Sequence, residues 1–371
     1  MTFLIKAGIF LMQCIYAVLK IFPCKNNRVL FLSRQSDVLS LDFVMLKNEL
    51  LKQNKQISVI AICSRMDDTK KHLIRFCWHA FCSMYYLSTS SVCVIDAYWP
   101  TVSLLKHKKS LTIIQMWHAL GKIKKSGYQT LGKESGRSKK TADLLQMHRN
   151  YDLVIAGGQA WNRYYEESFR VSADKIVNIG LPRIDFLIQK ESENREKVLK
   201  IYPDFVHKTV ILYAPTFRRN INSSASWEEF IEFIDFSKYV VIVKGHPNQQ
   251  IKSNNKNILE CSEFSAVELL AVCDFLVTDY SAIAIEGAIL NKKTFYYLYD
   301  YDEYVQKNGL NVDPFDSMPS CTFRSGKKLA DVLQSGYYDY AELEAYRKKY
   351  LPEELGTSTV KLAKIIISNL H

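Results

Sequence analysis

What most constrains this chain is an alternation of short apolar runs with longer amphipathic stretches. The apolar runs are 28-RVLFLS-33, 57-ISVIAIC-63, 91-SVCVID-96, 111-LTIIQM-116 and 152-DLVIAG-157. Between them lie helical patterns such as 40-SLDFVMLKNELLKQ-53 and 159-QAWNRYYEESF-169. A strand that is apolar along its whole length must be covered on both faces, which a parallel sheet flanked by helices achieves. The alternation then restarts, with strands at 209-TVILYAP-215, 239-YVVIVKG-245, 274-DFLVTD-279 and 293-KTFYYLY-299 and helical patterns at 226–235, 264–273 and 282–291. The expected fold class is α/β, with two Rossmann-like, doubly wound domains in tandem. A length of 371 residues also favours two domains. Gly and Pro in 180-GLPRID-185 place the joint there, so the first domain is expected over 25–182 and the second, with the C-terminal helices, over 183–371. The Gly-, Ser- and Lys-rich segment 121-GKIKKSGYQTLGKESGRSKK-140 reads as a mobile loop.

Residues 3-FLIKAGIFLMQCIYAVLKIF-22 are apolar except for Lys6, Gln13 and Lys20. No small-residue cleavage site follows, which argues against a signal peptide. A membrane span needs about 20 apolar residues, so this stretch is borderline. With Lys6, Lys20, Lys25 and Arg28 around it, residues 1–24 are expected to form a membrane-associating helix on anionic lipid. A buried first helix and a true span are the two other readings. The net charge of +11, from 49 Lys and Arg against 38 Asp and Glu, favours anionic partners. A composition of 48% hydrophobic and 23% charged residues excludes a disordered chain. Nine cysteines without a CxxC pair read as buried free thiols of a reducing compartment, not as a zinc site.

Ligands of open α/β sheets bind beyond the carboxyl ends of the strands, and two facing domains put a cleft between those ends. The distinctive residues fall there. Trp117 and His118 close one strand, and Lys122, Lys124 and Lys125 follow, so that Trp117 and the three lysines are expected to form a loop that meets an anionic acceptor or membrane. Positive charge nearby favours a neutral imidazole, which suits a general base beside an anionic substrate; an ordinary strand end with a solvated basic loop is the alternative. In 213-YAPTFRR-219, Thr216 and Arg218 could hold a phosphate, or sit in a solvated turn. Lys244 and His246 in 240-VVIVKGHP-247 could face a pyrophosphate, although a strand-end histidine is more commonly structural. In 276-LVTDYSAIAIEGAIL-290 the strand ends at Asp279 and Ser281 is the expected N-cap of a helix whose N–H groups make an anion site. Glu286 would accept a ribose hydroxyl or face solvent. Without GxGxxG or a P-loop, a nicotinamide enzyme or P-loop kinase is disfavoured. The pair in 300-DYD-302 is spaced like a metal-binding DxD but reads better as a solvated loop, so no metal and no other cofactor is expected.

Taken together, 117-WHALGKIKKSGY-128, 180-GLPRID-185, 212-LYAPTFR-218, 244-KGHP-247 and 276-LVTDYSAIAIE-286 resemble the CDP-glycerol glycerophosphotransferases of teichoic acid and capsule synthesis. The matching stretches run in family order from about residue 28 to 315. The resemblance implies a two-domain glycosyltransferase-B fold on the cytoplasmic face of the membrane, peripherally bound. It implies a CDP-glycerol or CDP-ribitol donor, a lipid-linked saccharide or polymer acceptor, an anionic membrane surface, and no nucleic acid. His118 would be the base that deprotonates the acceptor hydroxyl, and His246 would contact the donor phosphates. Arg218 and Ser281 would form the phosphate site, supported by Asp279 and Glu286, and CMP would leave. A glycosyltransferase of the same fold using a nucleotide sugar is the competing reading. The chain departs from the commonest family pattern at Ala119-Leu120-Gly121, Ala282, Glu286 and Asn308-Gly309, which leaves the donor polyol open. In size it is closer to the priming enzymes than to the large polymerases.

Overall fold

The computed structural model describes residues 2–65, 70–216, 218, 227–245 and 255–370. It contains two six-stranded, wholly parallel sheets. The first is built from β1 (Lys25–Ser33), β2 (Ser58–Cys63), β3 (Ser90–Ile95), β4 (Thr112–Gln115), β5 (Leu153–Ala156) and β6 (Ile176–Asn178), in the order β2-β1-β3-β4-β5-β6. The second is built from β7 (Thr209–Tyr213), β8 (Tyr239–Val243), β9 (Ile258–Leu259), β10 (Phe275–Thr278), β11 (Lys293–Tyr297) and β12 (Thr322–Phe323), in the order β12-β11-β10-β7-β8-β9. Each is doubly wound, with its strand order reversing at one place: between β1 and β3 in the first sheet, and between β7 and β10 in the second. Such switch points open a crevice at the carboxyl edge, where ligands bind in folds of this kind.

The α/β expectation holds, with three additions. Strands β6, β9 and β12 were not foreseen; each has two or three residues and forms an outer edge of its sheet. Runs so short carry no periodic signal. Within 226–235 the expected helix is a 3-10 stretch, Trp227–Phe233, and within 264–273 only Ala266–Leu269 is α-helical.

Chain packing defines two compact units: Met1–Leu120 with Ser126–Asp185 and Pro352–His371, and Gly121–Lys125 with Phe186–Leu351. The tail therefore departs from the expected assignment of 183–371 to one domain. The helix Ser358–Ser368 buries Leu362, Ala363 and Ile366 and packs along the helix Leu41–Gln53 of the first unit. The Asp185 carboxylate caps it, accepting the Ser358 and Thr359 amides at 3.1 and 2.7 Å. Two residues earlier, Arg183 donates its main-chain amide, Nε and Nη2 to the buried carboxylate of Asp42. The Gly-Leu-Pro-Arg-Ile-Asp stretch is thus a structural clasp of the first unit.

The segment expected to be a mobile loop is built into the structure. Gly121–Lys125 is held within the second unit: Lys124 bridges to Leu310, the Lys125 amide donates to the Gly309 carbonyl at 3.1 Å, and the Asn311 amide donates to Ile123 at 2.8 Å. A 3-10 turn over Gly127–Thr130 and a helix over Lys139–Leu144 follow.

The helix Thr2–Leu19 is anchored on one side. Tyr16 is buried with its hydroxyl 2.8 Å from His107 Nδ1, and the Gln13 amide donates to the Leu104 carbonyl at 3.3 Å. Its other side exposes Phe3, Phe10 (67% exposed), Leu11 and Val18, and the helix Lys70–Thr89 beside it exposes Ile74, Trp78 (63%) and Phe81. No helix among the described residues is long and apolar enough to cross a membrane. All nine cysteines are free; four are buried as expected, whereas Cys14 and Cys77 are exposed.

Candidate active site

In the first unit the carboxyl edge gathers residues from β1, β3 and β4. The Ser33 hydroxyl, at the end of β1, donates to Asp96 Oδ2 at 2.6 Å across the switch point. The Arg34 amide donates to Asp96 Oδ1 at 3.3 Å. Asp96 lies just beyond β3 and is buried; burial pushes its carboxyl up to about 6 against the lowering effect of these hydrogen bonds. His118, just beyond β4, places Nδ1 2.9 Å from the Asp96 main-chain oxygen. A carbonyl only accepts, so Nδ1 carries the proton and Nε2 is the basic nitrogen of the neutral ring.

Trp117 makes this placement possible. It holds a left-handed backbone (φ 64°), unusual for a bulky residue, and its amide donates to Gln115 Oε1 at 2.8 Å. Its ring lies 4.1 Å from that of His118 and meets Phe169 edge-on at 5.2 Å. Phe169 in turn packs on His148, whose Nδ1 lies 2.9 Å from the Tyr151 hydroxyl. Gly127 closes over this platform with φ +58°; a β-carbon there would stand 2.2 Å from the Ser168 carbonyl oxygen, so no other residue fits.

In the second unit, Thr216, Lys244, Asp279 and Ser281 all lie at the carboxyl edge, as expected. The Thr216 amide donates to both oxygens of Asp279 at 2.9 Å, spanning the β7/β10 switch point. Arg218 is not in a solvated turn: its side chain is 8% exposed. Its Nη1 donates to Asp279 at 2.6 Å and to the Thr216 carbonyl at 2.9 Å, and its Nε and Nη2 take the two oxygens of Asp300 at 2.6 and 3.1 Å. Burial opposes the guanidinium charge, but the two carboxylates outweigh it and raise the pKa. Tyr280 adds a hydroxyl 3.3 Å from Asp300 and stacks on Tyr304 at 3.7 Å. The reading of 300-DYD-302 as a solvated loop therefore fails for Asp300; Asp302 is exposed and pairs with Arg324 at 3.0 Å.

Other expected residues sit differently. Ser281 is not the N-cap: the helix is Ile283–Ile289, the cap position is Ala282, and Ser281 Oγ accepts the Ile283 amide at 3.5 Å. Glu286 is buried in that helix and does not face solvent. Lys244 donates to the Glu260 and Cys261 carbonyls at 3.4 and 3.0 Å. His246 lies outside the described residues. The basic segment is not uniformly solvated. Lys122 is 2% exposed, with its amine pushed well below the usual lysine range by burial. Lys124 is half-buried; desolvation lowers its pKa, with Asp279 close enough to oppose the shift and Arg218 to add to it. Lys125 is also half-buried.

Residues 14–368 match the family model for CDP-glycerol:poly(glycerophosphate) glycerophosphotransferase. The chain belongs to this family. Its relatives include a teichoic acid poly(ribitol-phosphate) polymerase of Bacillus spizizenii, 28% identical over 98% of this chain and 60% of the relative. The chain thus spans about three-fifths of that polymerase's length. A teichoic acid ribitol-phosphate primase of the same organism is 27% identical over 94% of this chain and 93% of its own, and a glycerol-phosphate primase of Bacillus subtilis is 27% identical over 78% and 76%. Among solved structures, the wall teichoic acid polymerase TagF superposes with a TM-score of 0.76 at 18% identity, covering 97% of this chain and 93% of the other. A UDP-GlcNAc 2-epimerase of Methanocaldococcus jannaschii reaches 0.55 at 13% identity over 92% and 99%, a likeness of fold.

Within this glycerophosphotransferase frame, the sequence pointed to His118, Trp117 and Arg218 but not to Asp96, Ser33, Asp300 or the Phe169–His148 platform. Asp96 ends an apolar run as Asp279 does, and that shared position was the available signal.

Proposed function

We propose that the chain transfers glycerol phosphate, or a related polyol phosphate such as ribitol phosphate, from a CDP-linked donor to a lipid-linked acceptor of teichoic acid or capsule synthesis. The observation that carries this reading is the tautomer of His118, fixed through Nδ1 by the Asp96 carbonyl so that the basic nitrogen is Nε2. His118 Nε2 takes the acceptor hydroxyl proton. The hydroxyl oxygen bonds to the polyol-bearing phosphorus, the bond from that phosphorus to the CMP oxygen breaks, and CMP leaves. On the donor side the phosphates meet Lys124, Lys244 and His246, with Thr216 and Ser281 at the strand ends; Asp279 and Glu286 organise that side without touching the phosphates. Positive groups and N–H donors there would offset the charge that builds on the transferring phosphoryl group.

Ribitol-phosphate relatives are 26–28% identical over 94–98% of this chain and glycerol-phosphate relatives 23–27% over 60–80%, so both donors belong in the test, with CDP-ribitol the more closely supported. CMP release is measured with CDP-glycerol and CDP-ribitol in the presence of a lipid-linked saccharide, and product length is read by chromatography. CMP with one donor supports the reading. A nucleoside diphosphate released only from nucleotide sugars would instead make the chain a glycosyltransferase.

The same reading has the protein work at a membrane surface, on its cytoplasmic face. Support comes from the apolar face formed by Phe10, Leu11, Val18, Ile74, Trp78 and Phe81, with Lys6 on the same helix as the first three. Apolar insertion and lysine attraction to anionic lipid would act together there.

A further inference from the structure

Arg218 is the residue that resemblance places on the donor phosphates, yet its hydrogen bonds run elsewhere. The fork made by Nε and Nη2, the edge that grips oxyanions with two parallel bonds, is occupied by both oxygens of Asp300. Nη1 is shared between Asp279 and the Thr216 carbonyl. The cation faces two carboxylates whose side chains are fully buried, so its charge is already balanced within the protein. Its partners lie at the ends of three adjacent strands: Thr216 after β7, Asp279 after β10 and Asp300 after β11. Tyr299 lies against the guanidinium at 5.0 Å, and the Tyr280 hydroxyl reaches the same Asp300 oxygen as Nη2.

We propose that Arg218 is a positioning residue that ties the Thr216 loop to the Tyr280–Ser281 turn through Asp279 and Asp300, and does not itself bind the donor phosphates. The inference rests on the assignment of the second unit to the donor. Its logic is geometric: the guanidinium fixes Asp279, Asp279 holds the Thr216 amide, and the main chain on either side of the β7/β10 switch point is thereby set.

The two roles predict opposite responses to loss of Asp300. If Arg218 positions, Asp300→Asn breaks the clasp as surely as Arg218→Ala, and the double variant is no worse than either single one. If Arg218 binds phosphate, Asp300→Asn releases the guanidinium, and donor affinity is kept or improved while Arg218→Ala alone weakens it.

The probe is CDP binding to the full chain by calorimetry, with the donor KM and kcat of CMP release alongside. Expected are about tenfold weaker CDP binding and a raised donor KM in both Arg218→Ala and Asp300→Asn. Arg218→Lys, which keeps the charge but loses the fork, should behave like Arg218→Ala. Tyr280→Phe removes one hydroxyl from Asp300 without removing charge, and covers the case in which the harsher variants do not fold; a few-fold loss of CDP affinity is expected. Wild-type affinity in Asp300→Asn and Tyr280→Phe, or full rescue by Arg218→Lys, overturns the proposal. A wild-type chain that neither binds CDP nor releases CMP would instead overturn the donor assignment.

Discussion

His118 Nδ1 lies 2.9 Å from the main-chain oxygen of Asp96, the residue whose side chain also receives the Ser33 hydroxyl across the β1/β3 switch point. One residue therefore orients the imidazole through its backbone and joins two strand ends through its carboxylate. This arrangement keeps the basic nitrogen of His118 at Nε2 whatever happens at the carboxylate, so the side chain and the main chain of Asp96 can be tested apart.

Replacing His118 by Ala or Gln removes the proton acceptor. Since general bases contribute about 10²–10⁴-fold, kcat for CMP release should fall within that range. CDP binding should stay near the wild-type value, because CDP is assigned to the second unit. Retained turnover in His118→Ala would remove the histidine from the mechanism.

The Asp96 carboxyl titrates at about 6 in the folded chain, above its ordinary value near 3.8. Between those two values the folded state holds the proton more tightly than the unfolded state. The contribution of this carboxyl to stability is therefore fully present below about pH 4, is lost as pH rises through about 6, and changes no further above it, a change of about 3 kcal/mol. In Asp96→Asn this contribution vanishes, so the stability gap between variant and wild type should shift in the variant's favour by that amount from pH 4 to 7. Urea titrations at fixed pH values measure it, and parallel pH curves for the two proteins would contradict the assignment.

Asp42 is buried and takes three donors from Arg183, and removing one member of such a pair leaves the other charge without compensation. Asp42→Ala should cost about 3–5 kcal/mol, and adding Arg183→Ala should add little beyond it. The readout is chemical unfolding of the two single variants and the double; additive losses would show that the pair is not coupled.

Phe10 and Trp78 are well exposed and can be replaced without disturbing a core. Each buries enough apolar surface in a lipid interface to contribute about 1.5–3 kcal/mol, so Phe10→Asp and Trp78→Asp should each weaken binding to anionic vesicles by tenfold or more. Co-sedimentation with vesicles of 30% phosphatidylglycerol is compared at low and high salt, with salt expected to weaken the wild type as well. Unchanged sedimentation of both variants would remove this face from the membrane assignment.

Long apolar runs made the sheets legible, because β1, β3, β7 and β10 are buried on both faces and their composition shows it. Edge strands β6, β9 and β12 have few neighbours to satisfy and left no pattern. The site was legible where residue type alone carried the chemistry, as at His118. It was illegible where the role depended on a partner remote in sequence. Arg218 and Asp300 are 82 residues apart, and only their meeting shows that a cation suited to phosphate is already neutralised. Likewise Lys122 sits in a run that reads as solvated, and only packing reveals a buried amine.

The return of Ser358–Ser368 to the helix Leu41–Gln53 also fixes an order of events during synthesis. Until Ser358–Ser368 clears the ribosome, the Asp185 carboxylate lacks the two amides it caps and the partner face of the helix Leu41–Gln53 stays bare. The second unit, whose main body runs without interruption from Phe186 to Leu351, can form before the first is finished. The first unit is therefore begun before the second and completed after it, and the basic nitrogen of His118 is set in a finished scaffold only once residues 358–368 have been made.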